Sequence, residues 1–528
     1  MNTEFITQER DRLLDELFRF LAIPSVSTLP AHAPDCRHAA EWLVRHLERL
    51  GCPVATLLEG EGHPVVWAES PPVEGAPTLL VYGHYDVQPA DPLDEWLSPP
   101  FAPAIRDGRL YARGAADDKG QVFCLLKAYE AVLDGDKRPP VNVRFMIEGE
   151  EESGGLTLAG LLARDPERTV ADAVLVADSA FFAPGWPAVY AGLRGICYAE
   201  IHLRTLQRDL HSGAYGGVAP NALETLTRLL TDLKSRSGRI RIPKLYEAVE
   251  RPARAERKAW KKLPFDEDAF RLEEVTAPAL TGLQDYSVFE RIWALPTFEI
   301  HGIQGGFTGE GAKTVIPAQA VAKVSLRLPP GLSYTKVARW LTRAVEKRAP
   351  AHAHVEVRLL HGADPVQQET DHPVFAILDR AFQEVVGRPT VPVRSGGSIP
   401  VIPLLKQGGA PVLVTGIGLP DDGLHSPNEK LDLQQLWDGI AVFGRFYELL
   451  AQNGRTGDKG KKGEKSKKGA KRRKGKKSVK REEGEAGEKG EKREKGEKCE
   501  KGEKGEKGEK GEKGAKPPKG KQRENDET

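Results

Sequence analysis

Five short segments of the chain place imidazole or acidic groups where they could meet around a metal ion. They are His84 in YGHYDVQPA (82–90), Asp117 in YARGAADDKG (111–120), Glu151 and Glu152 in IEGEEESGG (147–155), Asp178 in VLVADSA (174–180) and His425 in DDGLHSPNEKLD (421–432). Histidines with carboxylates in an oxygen- and nitrogen-rich pocket suit Zn²⁺, with Mn²⁺ or Co²⁺ as relatives. A carboxylate shared by two ions about 3.5–4 Å apart makes a two-metal hydrolytic site. Taken singly, each group has an ordinary structural explanation. A histidine after a strand is usually structural, but Asp86 follows His84 by two residues, and a carboxylate behind a ligating imidazole fixes its tautomer and raises its basicity. Asp-Asp before Lys-Gly suits a helix N-cap, a role open to Asp118. A glutamate run is usually a solvated face, yet this one follows the apolar run VRFMI, so at least one carboxylate should enter a crevice. His425 gains its weight only from the company of the others.

Such groups need strands that end side by side. Short apolar runs occur at PVVWA (64–68), TLLVYGHYDV (78–87), NVRFMIEGE (142–150) and AVLVADSA (173–180), each ending in polar residues. Helical periodicity marks the first 22 residues, roughly 36–51, Gly120–Val132 and Leu156–Leu162. Strands alternating with helices predict an α/β catalytic domain, a mixed and mostly parallel sheet with helices on both faces. Ligand sites in such sheets lie beyond the carboxyl ends of the strands, where His84, Asp86, Glu150–Glu152 and Asp178 stand. After about residue 186 the texture changes. ICYAEIHLRT (196–205), AVAKVSLRL (320–328) and HVEVRLL (354–360) read as strands, and Ala222–Leu233 and Tyr334–Arg348 as helices. This predicts an inserted α+β domain. The α/β texture returns with a helix from Pro373 to about Val386, the strand PVLVTGI (411–417) and a helix from Leu431 to Leu450. The expected division is 1–186 and 369–452 for the catalytic domain, 187–368 for the insertion and 453–528 for a tail. Residues 236–295, rich in charge and proline, are the least readable.

Composition separates the tail from the rest. Residues 453–528 hold 29 Lys and Arg against 17 Asp and Glu, with no aromatic residue, whereas residues 1–452 carry a net charge of −11. The tail cannot bury enough apolar surface to offset its ordering entropy. Its glycines fall on a three-residue period, mostly as Gly-Glu-Lys, but Arg493 and Cys499 interrupt it and proline is absent from the repeat. Disorder is therefore expected rather than a triple helix. No apolar run reaches the ~20 residues of a membrane-spanning helix. The N-terminus is acidic and amphipathic, unlike a secretory signal. The five cysteines show no paired spacing, so neither a disulfide framework nor a cysteine zinc site is expected, and a reducing, cytoplasmic setting is the simplest reading.

The ordered set GHYDVQPA, ARGAADDKG, EGEEESGG, DLHSGAYGG (209–217), GAKTVIP (311–317), GGSIP (396–400) and HSPNEKLD (425–432) resembles the di-zinc exopeptidases of clan MH, in particular their carnosinase and cytosolic nonspecific dipeptidase branch. The resemblance covers about 7–450. It implies two Zn²⁺, with His84 and Asp178 on one ion, Glu152 and His425 on the other, and Asp117 between them, joined to Asp118 by a cis peptide. It implies that Glu151 is the general base, taking a proton from a water between the metals and passing it to the leaving amine, and that Asp86 orients His84. The extra acid Glu150 leaves the register open; Glu151 and Glu152 are chosen because the family pair directly precedes the step here formed by Ser153-Gly154. The insertion resembles a lid and dimerisation domain. There, His211 is expected to reach the partner subunit's site and polarise the scissile carbonyl, and Arg327 to bind the substrate's C-terminal carboxylate. Thr314 and Ser398 match substrate-contact positions, and His361 matches another more loosely.

The expected function is metal-dependent hydrolysis of dipeptides or short peptides by a homodimer. An N-acyl-amino-acid deacylase or a carboxypeptidase on the same scaffold is the near alternative, since the shared site reads an amide and a carboxylate rather than a side chain. A non-catalytic binding protein is a third. For the tail, polyanion or nucleic-acid binding would rest on the block 461–481, with 13 Lys and Arg and one Glu, but a solubilising appendage is preferred.

Overall fold

Apolar runs too short for helices, rich in Val, Leu and Ile and bounded by polar residues, form the strands of the larger sheet. The computed structural model describes residues 3–133, 138–397 and 399–471, the last 18 of these by helical backbone alone. In chain order the strands of the two largest sheets are β1 (Val54–Leu58), β2 (Val65–Glu69), β3 (Thr78–His84), β4 (Asn142–Glu148), β5 (Ala173–Ala177), β6 (Gly195–Arg204), β7 (Thr297–Gly305), β8 (Gln319–Leu328), β9 (His354–Ala363) and β10 (Val412–Thr415).

The larger sheet has the order β1-β2-β4-β3-β5-β10. β3 runs parallel to both β4 and β5, and β10 parallel to β5, while β1 and β2 are antiparallel. β5, AVLVA, is buried along its whole length, as a strand covered on both faces must be. The helices Thr3–Leu21, Ala33–Arg49, Lys119–Leu133, Pro373–Val386 and Leu433–Lys471 supply the core over one face. The helix Lys119–Leu133 is almost wholly buried, and its charged members are satisfied internally. Lys119 Nζ donates to the carbonyls of Ile23 at 2.5 Å and Phe20 at 3.2 Å. Lys127 pairs with Glu16 and Glu130. The opposite face packs on Leu158, Leu162, Ile402 and Leu405.

β6–β9 form a separate antiparallel sheet in the order β7-β8-β6-β9. β6 alternates strictly between buried and partly exposed residues. Its buried members Cys197, Ala199, Ile201 and Leu203 face the helices Ala222–Leu233 and Tyr334–Arg348, so the other face stays open. β7 was not legible in the sequence: most of its residues are exposed, so no clean alternation marks it. The unreadable stretch before it contains the helix Arg254–Trp260 and an aromatic cluster around Trp260, Phe289 and Trp293. The described residues up to 464 form one compact unit. The final helix extends to Lys471 rather than stopping near Leu450; the remainder of the tail expected to be disordered lies outside the described residues. Among the described residues, no helix is long and apolar enough to cross a membrane.

Candidate metal centre

The parallel pairing of β3 with β4 and β5 brings three strand ends together. His84 closes β3 opposite Glu148, the last residue of β4, and Asp178 follows the last residue of β5. The remaining groups arrive on loops, Asp117 just ahead of the helix Lys119–Leu133 and His425 from the segment after β10. His84 Nε2 lies 3.2 Å from Asp117 Oδ1 and 3.8 Å from Asp178 Oδ1. His425 Nε2 lies 3.0 Å from Asp117 Oδ2 and 3.2 Å from Glu152 Oε1. The two oxygens of Asp117 therefore divide between two half-sites, His84 with Asp178 and His425 with Glu152. The peptide Asp117–Asp118 is cis.

Asp86 has a larger part than orienting one imidazole. Its backbone oxygen and Oδ1 lie 3.1 and 3.3 Å from His84 Nδ1. The same carboxylate accepts from the backbone N–H of Glu151 at 3.3 Å and of Glu152 at 3.1 Å, and from Ser27 Oγ at 2.6 Å. One buried side chain thus sets both the imidazole and the acid pair. The extra acid is accounted for: Glu150 Oε2 accepts from Thr157 N at 2.8 Å, serving the first turn of the helix Leu156–Arg164. Glu152 Oε2 accepts from Gln88 Nε2 at 2.8 Å. Asp118 does not act through a side-chain cap; its Oδ2 accepts from the backbone N–H of His84 at 3.1 Å.

Sequence reasoning missed Glu429. It is fully buried and accepts four hydrogen bonds, from Arg113 Nη1 at 2.8 Å and from the backbone N–H of Gly114, Ala116 and Asp117 at 3.0, 2.9 and 3.0 Å. It fixes the loop that delivers Asp117. Its motif neighbour Asn428 ties the His425 loop to the loop 95–97, through Leu97 N and Glu95 O, each at 2.8 Å. The only available signal was the acid within HSPNEKLD.

The donor set fits divalent cations. His84 Nε2 is buried without a hydrogen-bond partner, as is Asp118 Oδ1, and an orphaned imidazole nitrogen facing carboxylates is a ligand position. Among the described residues, three groups each bring their ligand atoms within 4.8 Å of one another; two of them are here, His84 with Asp118 and Asp178, and Asp117 with Glu152 and His425, and the third is Glu16 with His46 and Glu130. Acid outnumbers base, and the electrostatics reflect it. Burial opposes charge on His84, but Asp117, Asp178 and Asp86 outweigh it and hold the imidazole well above its usual range. Bonds to Asp117 and Glu152 push His425 up to about 10. Burial and the nearby carboxylates push Asp178 up to about 6. Glu151 is held well above the usual carboxylate range, by burial first and by Asp178 and Glu152 against the pull of His84. Bound cations would relieve this excess of negative charge.

The other expected residues lie elsewhere. Arg327 is half-buried on the open side of β8 and acts electrostatically on both His361 and Arg194. Arg194 Nε donates to Gly396 O at 3.0 Å, within the GGSIP segment. His361 stacks on Tyr198 with ring centroids 5.0 Å apart. His211 and Thr314 are exposed neighbours: His211 pairs with Val315, and Ser212 N donates to Thr314 O at 3.1 Å. Among the described residues neither bonds to the His84–His425 cluster. Ser398 lies outside the described residues.

An α/β sheet with a carboxylate–histidine cluster at its strand ends defines a metal-dependent hydrolase. The chain belongs to peptidase family M20/M25/M40, whose model matches residues 80–449. It is 31% identical over 470 residues to the Beta-Ala-His dipeptidase of Homo sapiens, covering 85% of this chain and 92% of that protein. It is likewise 31% identical over 464 residues to the Cys-Gly metallodipeptidase dug1 of Schizosaccharomyces pombe, covering 85% and 97%. Among solved structures, the di-peptidase Dug1p from Saccharomyces cerevisiae superposes with a TM-score of 0.75 at 26% identity, over 85% of this chain and 97% of that one. Human carnosine dipeptidase 1 gives 0.75 at 29% identity, over 85% and 98%. The metallo-carboxypeptidase Sso-CP2 from Sulfolobus solfataricus gives 0.74 at 30% identity, over 83% and 99%.

Proposed function

We propose that the protein is a metal-dependent dipeptidase holding two ions, Zn²⁺ with Mn²⁺ or Co²⁺ as substitutes. His84 and Asp178 would hold one ion, Glu152 and His425 the other, and Asp117 both. The observation that carries this reading is the division of the two Asp117 oxygens between two histidines. When bound, the ions supply Lewis-acid polarisation of the amide carbonyl and acidify the attacking water. This chain's residues do the rest. Glu151, ionised once cations offset the burial and the neighbouring carboxylates that hold its carboxyl up, takes the proton of the attacking water and returns it to the leaving amine. Asp86 keeps Glu151 and His84 in register through one carboxylate. Arg327, with His361 and Arg194 beside it, binds the substrate's terminal carboxylate, and Thr314 and Ser398 contact the substrate.

The inserted segment 187–368 acts as a lid and dimerisation domain between catalytic segments 1–186 and 369–452. The exposed position of His211, apart from its own cluster, suits a residue that serves the partner subunit's site in a homodimer, where it polarises the scissile carbonyl. The four described cysteines, Cys36, Cys52, Cys124 and Cys197, are free and buried, which suits a cytoplasmic setting. The likeness to Sso-CP2 favours carboxypeptidase action on longer peptides as the second reading. The test is a library of dipeptides, tripeptides and N-acyl amino acids read by mass with Zn²⁺, Mn²⁺ and Co²⁺, beside elemental analysis. Dipeptide cleavage, two ions per chain, and a Glu151→Gln variant that keeps metal but not turnover are expected. Cleavage confined to longer or acylated substrates would select the alternative, and intact peptides with metal-replete protein would refute peptidase activity.

A further inference from the structure

A cavity of about 330 Å³ opens beside Glu151, between the strand ends of the larger sheet and the inserted region. Its walls are largely apolar and include Leu158, Val401, Leu404 and Tyr334. Every charged group that lines it is acidic: Glu148, Glu151 and Asp364. Glu148 is 3% exposed. Its Oε1 accepts the hydroxyl hydrogen of Tyr82, but its Oε2 is buried with no partner. That oxygen lies 3.3 Å from the place a Cβ would occupy on Gly155, and Gly155 lines the cavity. The oxygen thus lies behind a stretch of wall, Gly154–Gly155, that has no side chain. Asp364 stands exposed on the inserted side, its Oδ1 fixed by Tyr334 N at 2.7 Å.

We infer that this cavity receives the side chain of the substrate's N-terminal residue and selects one with an apolar stem and a cationic end, as in lysine, ornithine or arginine. The inference rests on dipeptide hydrolysis at the metal centre. Charge sets the preference: Arg327 and Arg194 do not line the cavity, and the charged groups that do are all acids. An aliphatic stem packs on Leu158, Val401 and Leu404 while its charged head stays polar. The head takes the unpartnered oxygen of Glu148 in a charge-assisted hydrogen bond, within reach of Asp364 and the Tyr334 ring face. A wholly apolar side chain leaves that buried oxygen unsatisfied, and an acidic one adds like charge, so attraction and repulsion both discriminate.

The test compares kcat/KM of the metal-replete enzyme on Lys-Gly and on norleucyl-Gly, which lacks the ammonium. A preference for Lys-Gly of roughly 10-fold or more is expected for one charge-assisted contact. Glu148→Gln and the surface substitution Asp364→Asn should each shrink that ratio, which is internal to each variant and independent of its active fraction. A wild-type ratio near one overturns the inference while leaving dipeptide hydrolysis in place. A high ratio that both variants preserve overturns the assignment to this cavity. Failure to cleave either peptide, or Gly-Gly, overturns the dipeptidase reading and the inference with it.

Discussion

Replacing Glu429 by Gln keeps the shape of a buried side chain and removes half of what it does. Glu429 Oε1 accepts from Ala116 N and Asp117 N, and Oε2 from Arg113 Nη1 and Gly114 N. A glutamine offers one carbonyl oxygen, and its NH₂ must face two donors whichever way it turns. Arg113, 1% exposed, also loses its counter-charge. Breaking a buried ion pair from one side costs roughly 3–5 kcal/mol, and the orphaned N–H groups belong to that same cost rather than adding freely to it. Because Asp117 N is one of the donors, the ligand loop should lose its setting, and misplacing such support typically lowers metal affinity about 10–100-fold. Arg113→Met should cost less, since Glu429 then keeps all three backbone donors. The assay is a urea titration of metal-free and metal-replete proteins by circular dichroism, with metal retention against a chelator. Glu429→Gln should lower the midpoint in both forms and shed metal faster, with Arg113→Met between it and wild type. A Glu429→Gln protein that matches wild type in both readouts would refute the reasoning.

Three further outcomes are expected. In metal-free protein His425 is raised to about 10, so its contribution to stability is complete below its unfolded value near 6.5 and is lost as pH rises toward about 10; metal must displace that proton, so apparent affinity should climb with pH up to about 10, and a pH-independent affinity by competitive chelation would contradict this. Mixing inactive His211→Ala with inactive Glu151→Gln subunits should restore part of the activity, because one site of a mixed dimer is complete; no recovery after verified subunit exchange would count against action across the dimer. A chain cut after Gln452, just past the buried Phe443, Phe446 and Leu450, should fold, hold metal and keep a nearly unchanged kcat/KM, and only salt-sensitive retention on polyanions should weaken; a soluble, metal-loaded truncation without activity would show that the tail takes part.

The candidate site was written in short range. His84 with Asp86, the acid pair after an apolar strand, and Asp178 at the end of a buried run were legible because each pairs a strand signal with a polar end, and a parallel sheet gathers such ends on one edge. The strands and helices of both sheets were legible wherever burial is one-sided or complete, since either case leaves a period or a run. β7 was not, because most of its residues face outward. The tertiary structure decided which acid of the run 150–152 is structural, by turning Glu150 onto Thr157 N. It also decided that Asp86 holds the acid pair as well as the imidazole, and that Glu429 organises the Asp117 loop from 312 residues away. Those facts are hydrogen bonds between backbone groups and distant side chains. A backbone N–H is the same at every non-proline residue, so no sequence pattern announces which carboxylate will find it; only the folded chain selects the partner.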